Sequence, residues 1–137
     1  MDISSYTSFF HDGSIIDIQH LDDKMIISME SAQIDEADLK DDVVLSKVGT
    51  IRGNLHMEKI KQIKEDSVLY KKLLKMKTED AGIYHFDVCQ NKVELHVGWD
   101  SPPPNIHMED FSVLEIEAEK IWWENVPDLV DPSSGSW

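Results

Sequence analysis

From Gly13 to Ser31 the apolar residues fall on alternate positions in two short runs: Ile16 and Ile18 alternate with Asp17 and Gln19, and Met25, Ile27 and Met29 share one face. Alternation with period two predicts half-buried strands. The polar break Leu21-Asp22-Asp23-Lys24 predicts a tight turn between them. The pattern recurs from Gly82 to Trp99, where Tyr84, Phe86, Val93, Leu95 and Val97 stand in place of Ile16, Ile18, Met25, Ile27 and Met29, with Gln90-Asn91 at the turn. A longer run follows each hairpin, Ile51 to Ile63 and Val113 to Val126, and each contains Glu-Lys-Ile, at 58–60 and at 119–121. In both runs the alternation, Leu55 and Met57 or Leu114, Ile116 and Ala118, slips by one residue before Ile60 and Ile121. Such a slip sends a side chain to the wrong face unless an extra residue is absorbed, so a β-bulge is expected near each Glu-Lys pair, at equivalent places in the two halves.

The fold these patterns predict is all-β and mainly antiparallel, a β-sandwich or partly open barrel made from two similar halves, about 13–65 and 82–126. Residues 1–126 form a single domain, and the Pro-, Ser- and Gly-rich 127–137 a loosely held tail. Tyr6, Phe9 and Phe10 form an aromatic cluster expected to pack on the first hairpin, and Asp12-Gly13 turns the chain after it. The acidic connection Ala32 to Asp42 has room for one helical turn, and Val43 to Val48 for a short strand. Ser67 to Lys77 fits either a strand entering the second hairpin or a helical face through Leu69, Leu73 and Met76; the strand is the preferred reading. Pro102-Pro103-Pro104 imposes a stiff extended loop, since proline cannot donate to a ladder.

Composition changes the picture in one respect. With 41% apolar and 29% charged residues the 137-residue chain has ordinary globular composition, but 27 acidic residues against 13 basic ones give a net charge of −14. Only Arg52 among the basic residues is an arginine. That charge repels phosphate backbones and anionic lipid, so neither nucleic acid nor a membrane is the expected partner, whereas a protein with a basic surface is permitted. No apolar run approaches the roughly 20 residues of a membrane-spanning helix. Met1-Asp2-Ile3-Ser4-Ser5 lacks the basic and then apolar character of a secretory signal, and the expected location is cytoplasmic. The lone Cys89 has no internal disulfide partner and sits in a strand pattern, which suits a packed or half-exposed thiol.

Most motifs that carry chemistry are absent from the sequence. The six histidines, His11, His20, His56, His85, His96 and His107, include no His-x-x-x-His pair on a helix and no accompanying Cys-x-x-Cys, so the known zinc spacings are absent. His85 and Asp87 would share a strand face with His96 beside them, an arrangement equally ordinary for a solvated sheet. No nucleophile elbow, phosphate-binding loop or dinucleotide fingerprint occurs. No catalytic residue, cofactor or metal is therefore assigned. Trp99, Trp122 and Trp123 are the more informative residues, because neighbours on a strand face opposite sides and Trp122 and Trp123 cannot both point inward. An exposed tryptophan is a strong interface anchor.

The stretch Phe9-Phe10-His11-Asp12-Gly13-Ser14-Ile15-Ile16-Asp17-Ile18, an aromatic pair before His-Asp-Gly and an alternating strand, resembles the opening of small β-rich bacterial families, some of them similar to immunity proteins of polymorphic toxin systems. The resemblance implies a structural role for the His-Asp-Gly turn, with Asp12 accepting turn hydrogen bonds and Gly13 supplying a positive φ, and it carries over no functional residue. With the charge it leads to a non-enzymatic protein-binding domain, and within that class to an immunity-type inhibitor of a basic partner, contacted through Asp35, Glu36, Asp38, Asp41, Asp42, Trp99, Trp122 and Trp123. The alternative is a small-ligand-binding β-barrel whose cavity would be lined by Met25, Met29, Phe86 and Trp99.

Overall fold

The computed structural model describes residues 2–39, 42–79, 81–99 and 110–130. Among the described residues seven strands, β1 (Ser14–Leu21), β2 (Lys24–Glu30), β3 (Arg52–Glu65), β4 (Val68–Leu69), β5 (Ala81–Cys89), β6 (Lys92–Trp99) and β7 (Asp110–Asn125), form one antiparallel sheet. Its order is β2-β1-β5-β6-β7-β3-β4, and a further pairing of β2 with β3 closes six of the strands into a ring. The result is a partly open barrel. The weak seam is β1 to β5, paired only at Ser14 with Gly82 and Ile15 with Ala81. Among the described residues no helix is long and apolar enough to cross a membrane.

Both hairpins form as the alternation predicts, with Asp22-Asp23 and Gln90-Asn91 as two-residue turns and Asp22 and Gln90 in the left-handed region. The inward set differs at two places. A bulge at Ile16 turns Ile15 and Ile18 into the core in place of Ile16, and a matching bulge at Tyr84 turns Ile83 and Phe86 inward while Tyr84 stays exposed. The expected pair of bulges at the Glu-Lys-Ile tripeptides is not found. The two tripeptides are instead laid against each other in the β3–β7 ladder, Met57 opposite Ile121, Glu58 opposite Lys120 and Ile60 opposite Ala118. Both strands change face over the same three residues, so the slips cancel; the ladder's one register shift lies beyond them, between Ile60 and Gln62.

Residues on the barrel's inward faces bury one another. Met25, Met29, Phe86 and Trp99, the residues a ligand cavity would need, belong to one contiguous core and are 1%, 0%, 3% and 1% exposed. The N-terminal aromatics pack on the second half, against expectation: Phe10 sits edge-on to Phe86 and to Trp123, at ring separations of 5.1 and 5.7 Å. They arrive on two short 3-10 turns, Ile3–Ser5 and Thr7–Phe10.

Elsewhere the chain is less regular than its pattern. Past the two-residue β4, residues 70–79 are neither strand nor helix; the Leu74 amide donates to His20 Nδ1 at 2.8 Å, and Lys77 pairs with Glu65 and Asp110. Residues 43–48 form no strand. The acidic connection does hold one turn, a 3-10 turn at Glu36–Asp38. Val126 to Leu129 are tied to Arg52, whose carbonyl accepts from Val126 N and whose Nε donates to the Leu129 carbonyl, while its guanidinium pairs with Glu30 at 3.0 Å. The triple-proline loop and residues 131–137 lie outside the described residues.

The His-Asp-Gly turn divides its roles in the reverse of the expected way. Asp12 takes the positive φ, 69°, and Gly13 is required for space, because a Cβ there would lie 2.2 Å from the Glu30 carbonyl oxygen. Nothing lies within 4 Å of a Cβ built at Gly82, the residue across the seam. Gly13→Ala should therefore cost about 1–3 kcal/mol through forced backbone displacement, whereas Gly82→Ala should change stability by less than about 0.5 kcal/mol or raise it slightly. Urea unfolding midpoints of the two variants measure the contrast.

Candidate functional site

The outward face of β2, β3 and β7 carries a bonded polar and aromatic group that alternation alone does not reveal. His56 is flanked across the ladders by Ile26 on β2 and Trp122 on β7, and in the next row Asn54 is flanked by Ser28 and Glu124. The Trp122 indole and the His56 imidazole stack nearly parallel, 3.9 Å apart at 3°. Glu124 Oε1 accepts from Asn54 Nδ2 at 3.0 Å and from His56 Nε2 at 2.9 Å. The Ser28 hydroxyl donates to Asn54 Oδ1 at 2.7 Å and so orients the amide. This chain of bonds fixes the imidazole, and the imidazole supports the indole. Trp122 remains 38% exposed on a surface whose other groups are immobilised.

Of the three tryptophans named from sequence, only Trp122 has an outward position. Trp123, its strand neighbour, is 7% exposed, as the alternation requires. Trp99 is 1% exposed and donates from Nε1 to Ser112 Oγ at 3.0 Å, which removes it from any interface. It lies at a barrel end where Ser112, Glu65 and Lys77 also meet. Beside Trp122 a depression of about 380 Å³ is lined by Asp2, Ile3, Ser4, Val88, Gln90, Ile121 and Trp123.

Asp35, Glu36, Asp38 and Asp42 are all exposed, and Asp41 is outside the described residues. Asp35 caps the 3-10 turn by accepting from the Ala37 amide at 3.0 Å. The returning limb of this loop is bonded to the end of β7, Asn125 Nδ2 donating to the Val44 carbonyl at 2.9 Å. The returning limb of the acidic loop is thus tied to the same end of β7 that carries Trp122.

Of the group His85, Asp87 and His96, the structure brings His85 and His96 together, with ring centroids 4.8 Å apart, and the carboxylate that joins them is Glu94, not Asp87. No nucleophile stands beside an activating base in the Trp122 group, whose serine bonds an amide. Cys89 is exposed. Ser28, Asn54, His56 and Glu124 were invisible to sequence reasoning because their grouping depends on the β3–β7 register. The facing Glu-Lys-Ile tripeptides are the signal that could have supplied it. No protein-family model matches the chain, and no curated protein or solved structure is similar to it.

Hydrogen bonds from Asn54 and then from His56 hold the Glu124 carboxyl below the ordinary glutamate range. A lowered folded-state pKa adds stability that is complete above the unfolded value and fades as pH falls through the folded one. The stability difference between the native chain and Glu124→Gln should therefore be present at neutral pH, below about 1 kcal/mol because the carboxylate is half exposed, and should vanish in acid. Denaturant melts between pH 3 and 7, read against the side-chain NMR titration of Glu124, test the sign.

Proposed function

We propose that this protein is a non-enzymatic protein-binding domain that engages a basic partner surface through the Trp122 row and the acidic loop beside it, in the manner of an immunity-type inhibitor. The observation that carries the reading is Trp122, an exposed indole stacked on an immobilised imidazole. A large aromatic held rigid before binding loses little conformational freedom on association, which is what makes tryptophan an effective anchor. The exposed acids Asp35, Glu36, Asp38 and Asp42 supply the complementary long-range attraction, which raises encounter rates with a cationic surface and is screened by salt. The −14 net charge and the resemblance of the Phe9 to Ile18 stretch point the same way.

The two contributions separate kinetically. Partners captured from the source cell at low and at physiological salt are identified, and their binding rates are measured on the purified pair. Trp122→Ala should speed dissociation about tenfold or more if the anchor contributes about 1.4 kcal/mol. Asp35→Asn, Glu36→Gln and Asp38→Asn together should slow association and flatten its salt dependence. Retention of nucleic acid, lipid or a small molecule alone, or an association rate indifferent to the loop charges, would overturn the reading.

A further inference from the structure

The outward face of the second hairpin carries a different grouping. The bulge at Tyr84 creates it: Ile83 and Phe86 both point into the core, so the two residues between them, Tyr84 and His85, are both displayed outward. His85 then stands directly across from His96, and Glu94 lies two residues from His96 on the same face of β6. His85 Nε2 is 3.6 Å from Glu94 Oε2, and His96 Nε2 is 3.4 Å from Glu94 Oε1. One ligand atom from each of the three residues lies within 4.8 Å of the others.

These spacings are close to those of coordination. Tetrahedral bonds of about 2.0–2.2 Å place ligand atoms about 3.3–3.6 Å apart; Glu94 stands at that spacing from each imidazole, through Oε2 to His85 and through Oε1 to His96, and no separation in the three-atom group exceeds 4.8 Å. A second observation points to a ligand. His96 Nε2 is buried yet makes no hydrogen bond, although buried polar atoms are normally satisfied. Phe111 packs edge-on against the His96 ring, centroids 6.3 Å apart, and Tyr84 lies against Phe111 at 5.4 Å, giving the histidine an aromatic wall. Two imidazoles and one carboxylate are a donor set for zinc-class ions and a poor one for calcium or magnesium, which favour oxygen alone.

We propose that His85, Glu94 and His96 bind a zinc-class divalent transition-metal ion, with one coordination position left open. The expectation of no metal site rested on the absent zinc spacings and on reading His85, Asp87 and His96 as an ordinary solvated face; the carboxylate that the fold places between the two imidazoles is Glu94 and not Asp87.

The test uses the untagged full chain, stripped with a chelator and titrated with Co²⁺, whose visible absorption reports coordination. One Co²⁺ per chain is expected, with the intense bands of a four- or five-coordinate ion, displaced by Zn²⁺. His85→Ala and Glu94→Gln, both at partly exposed positions, should each weaken binding about tenfold or more, while Asp87→Asn should not. On the unmutated chain, Zn²⁺ should shift the ¹⁵N imidazole signals of His85 and His96 and leave that of His20 in place. No visible band in a large excess of Co²⁺, imidazole signals that do not move, or binding unchanged by His85→Ala and Glu94→Gln, as an adventitious ion only would give, overturns the proposal.

Discussion

The pairing of β3 with β7 is the constraint on which the rest of the barrel depends. Each, at 14 and 16 residues, is far longer than either strand of the hairpin before it, and each runs on past that hairpin's tip. At the point of overrun the strand changes face, and a hydrogen bond marks the place: Ile60 N donates to the Asp23 carbonyl and Ala118 N to the Asn91 carbonyl, the second residue of each hairpin turn. Ile60 and Ala118 are also opposite each other in the ladder. A change of face in one strand alone would break the register, whereas a simultaneous change in both preserves it. Lys59, with φ at 55°, absorbs the local twist in β3. Reciprocal ion pairs, Lys59 with Glu119 and Lys120 with Glu58, each at 3.8 Å, line the outer side of the crossing.

A strand order with such exchange symmetry does not make the two outer faces alike. The ring reads the same when β1, β2 and β3 are traded for β5, β6 and β7, and the bulges at Ile16 and Tyr84 correspond. Inward positions on both sides are mainly apolar because both fill one core, with Ser112, bonded to the Trp99 indole, a polar exception. Outward positions carry no such demand, and the chemistry there diverges, to an amide, carboxylate and indole group on one side and to two imidazoles and a carboxylate on the other.

What could be read from the sequence follows the same division. Class, hairpins, turns and the inward faces of β2 and β6 were legible, since core burial writes a period of two into the residues. The identity of Ile15 in place of Ile16 was not, because a bulge alters the phase within a run where three apolar residues, Ile15, Ile16 and Ile18, make either phase plausible. Segment 70–79 misled for a related reason: Leu73 is 52% exposed and Leu74 is 3% exposed, so its apolar residues do not share one face. For the site, the strand neighbours Trp122 and Trp123 had to divide between surface and core, but which one faced out depended on the change of face at Glu119-Lys120. Trp99 stood in both readings, as an interface residue and as a cavity lining, because a strand-end tryptophan suits either; here Ser112 satisfies its N–H inside the barrel.

The distribution of charge, more than its total, bears on recognition. Several sheet acids are matched by cations: Glu58, Glu115 and Glu119 pair with lysines, Glu65 and Asp110 with Lys77, and Glu30 with Arg52. These pairs are fields of short range that cancel within a few ångströms. Asp35, Glu36, Asp38 and Asp42 make no ion pair among the described residues, so their field extends into solvent to about a Debye length, some 8 Å at physiological ionic strength. Part of the surplus behind the net charge of −14 is thus concentrated on a loop bonded to the end of the strand that carries Trp122. A loop outside the ladder has no cross-strand lysine opposite its acids, and under the proposed reading their field would draw a basic surface in while the stacked indole supplies the desolvated contact.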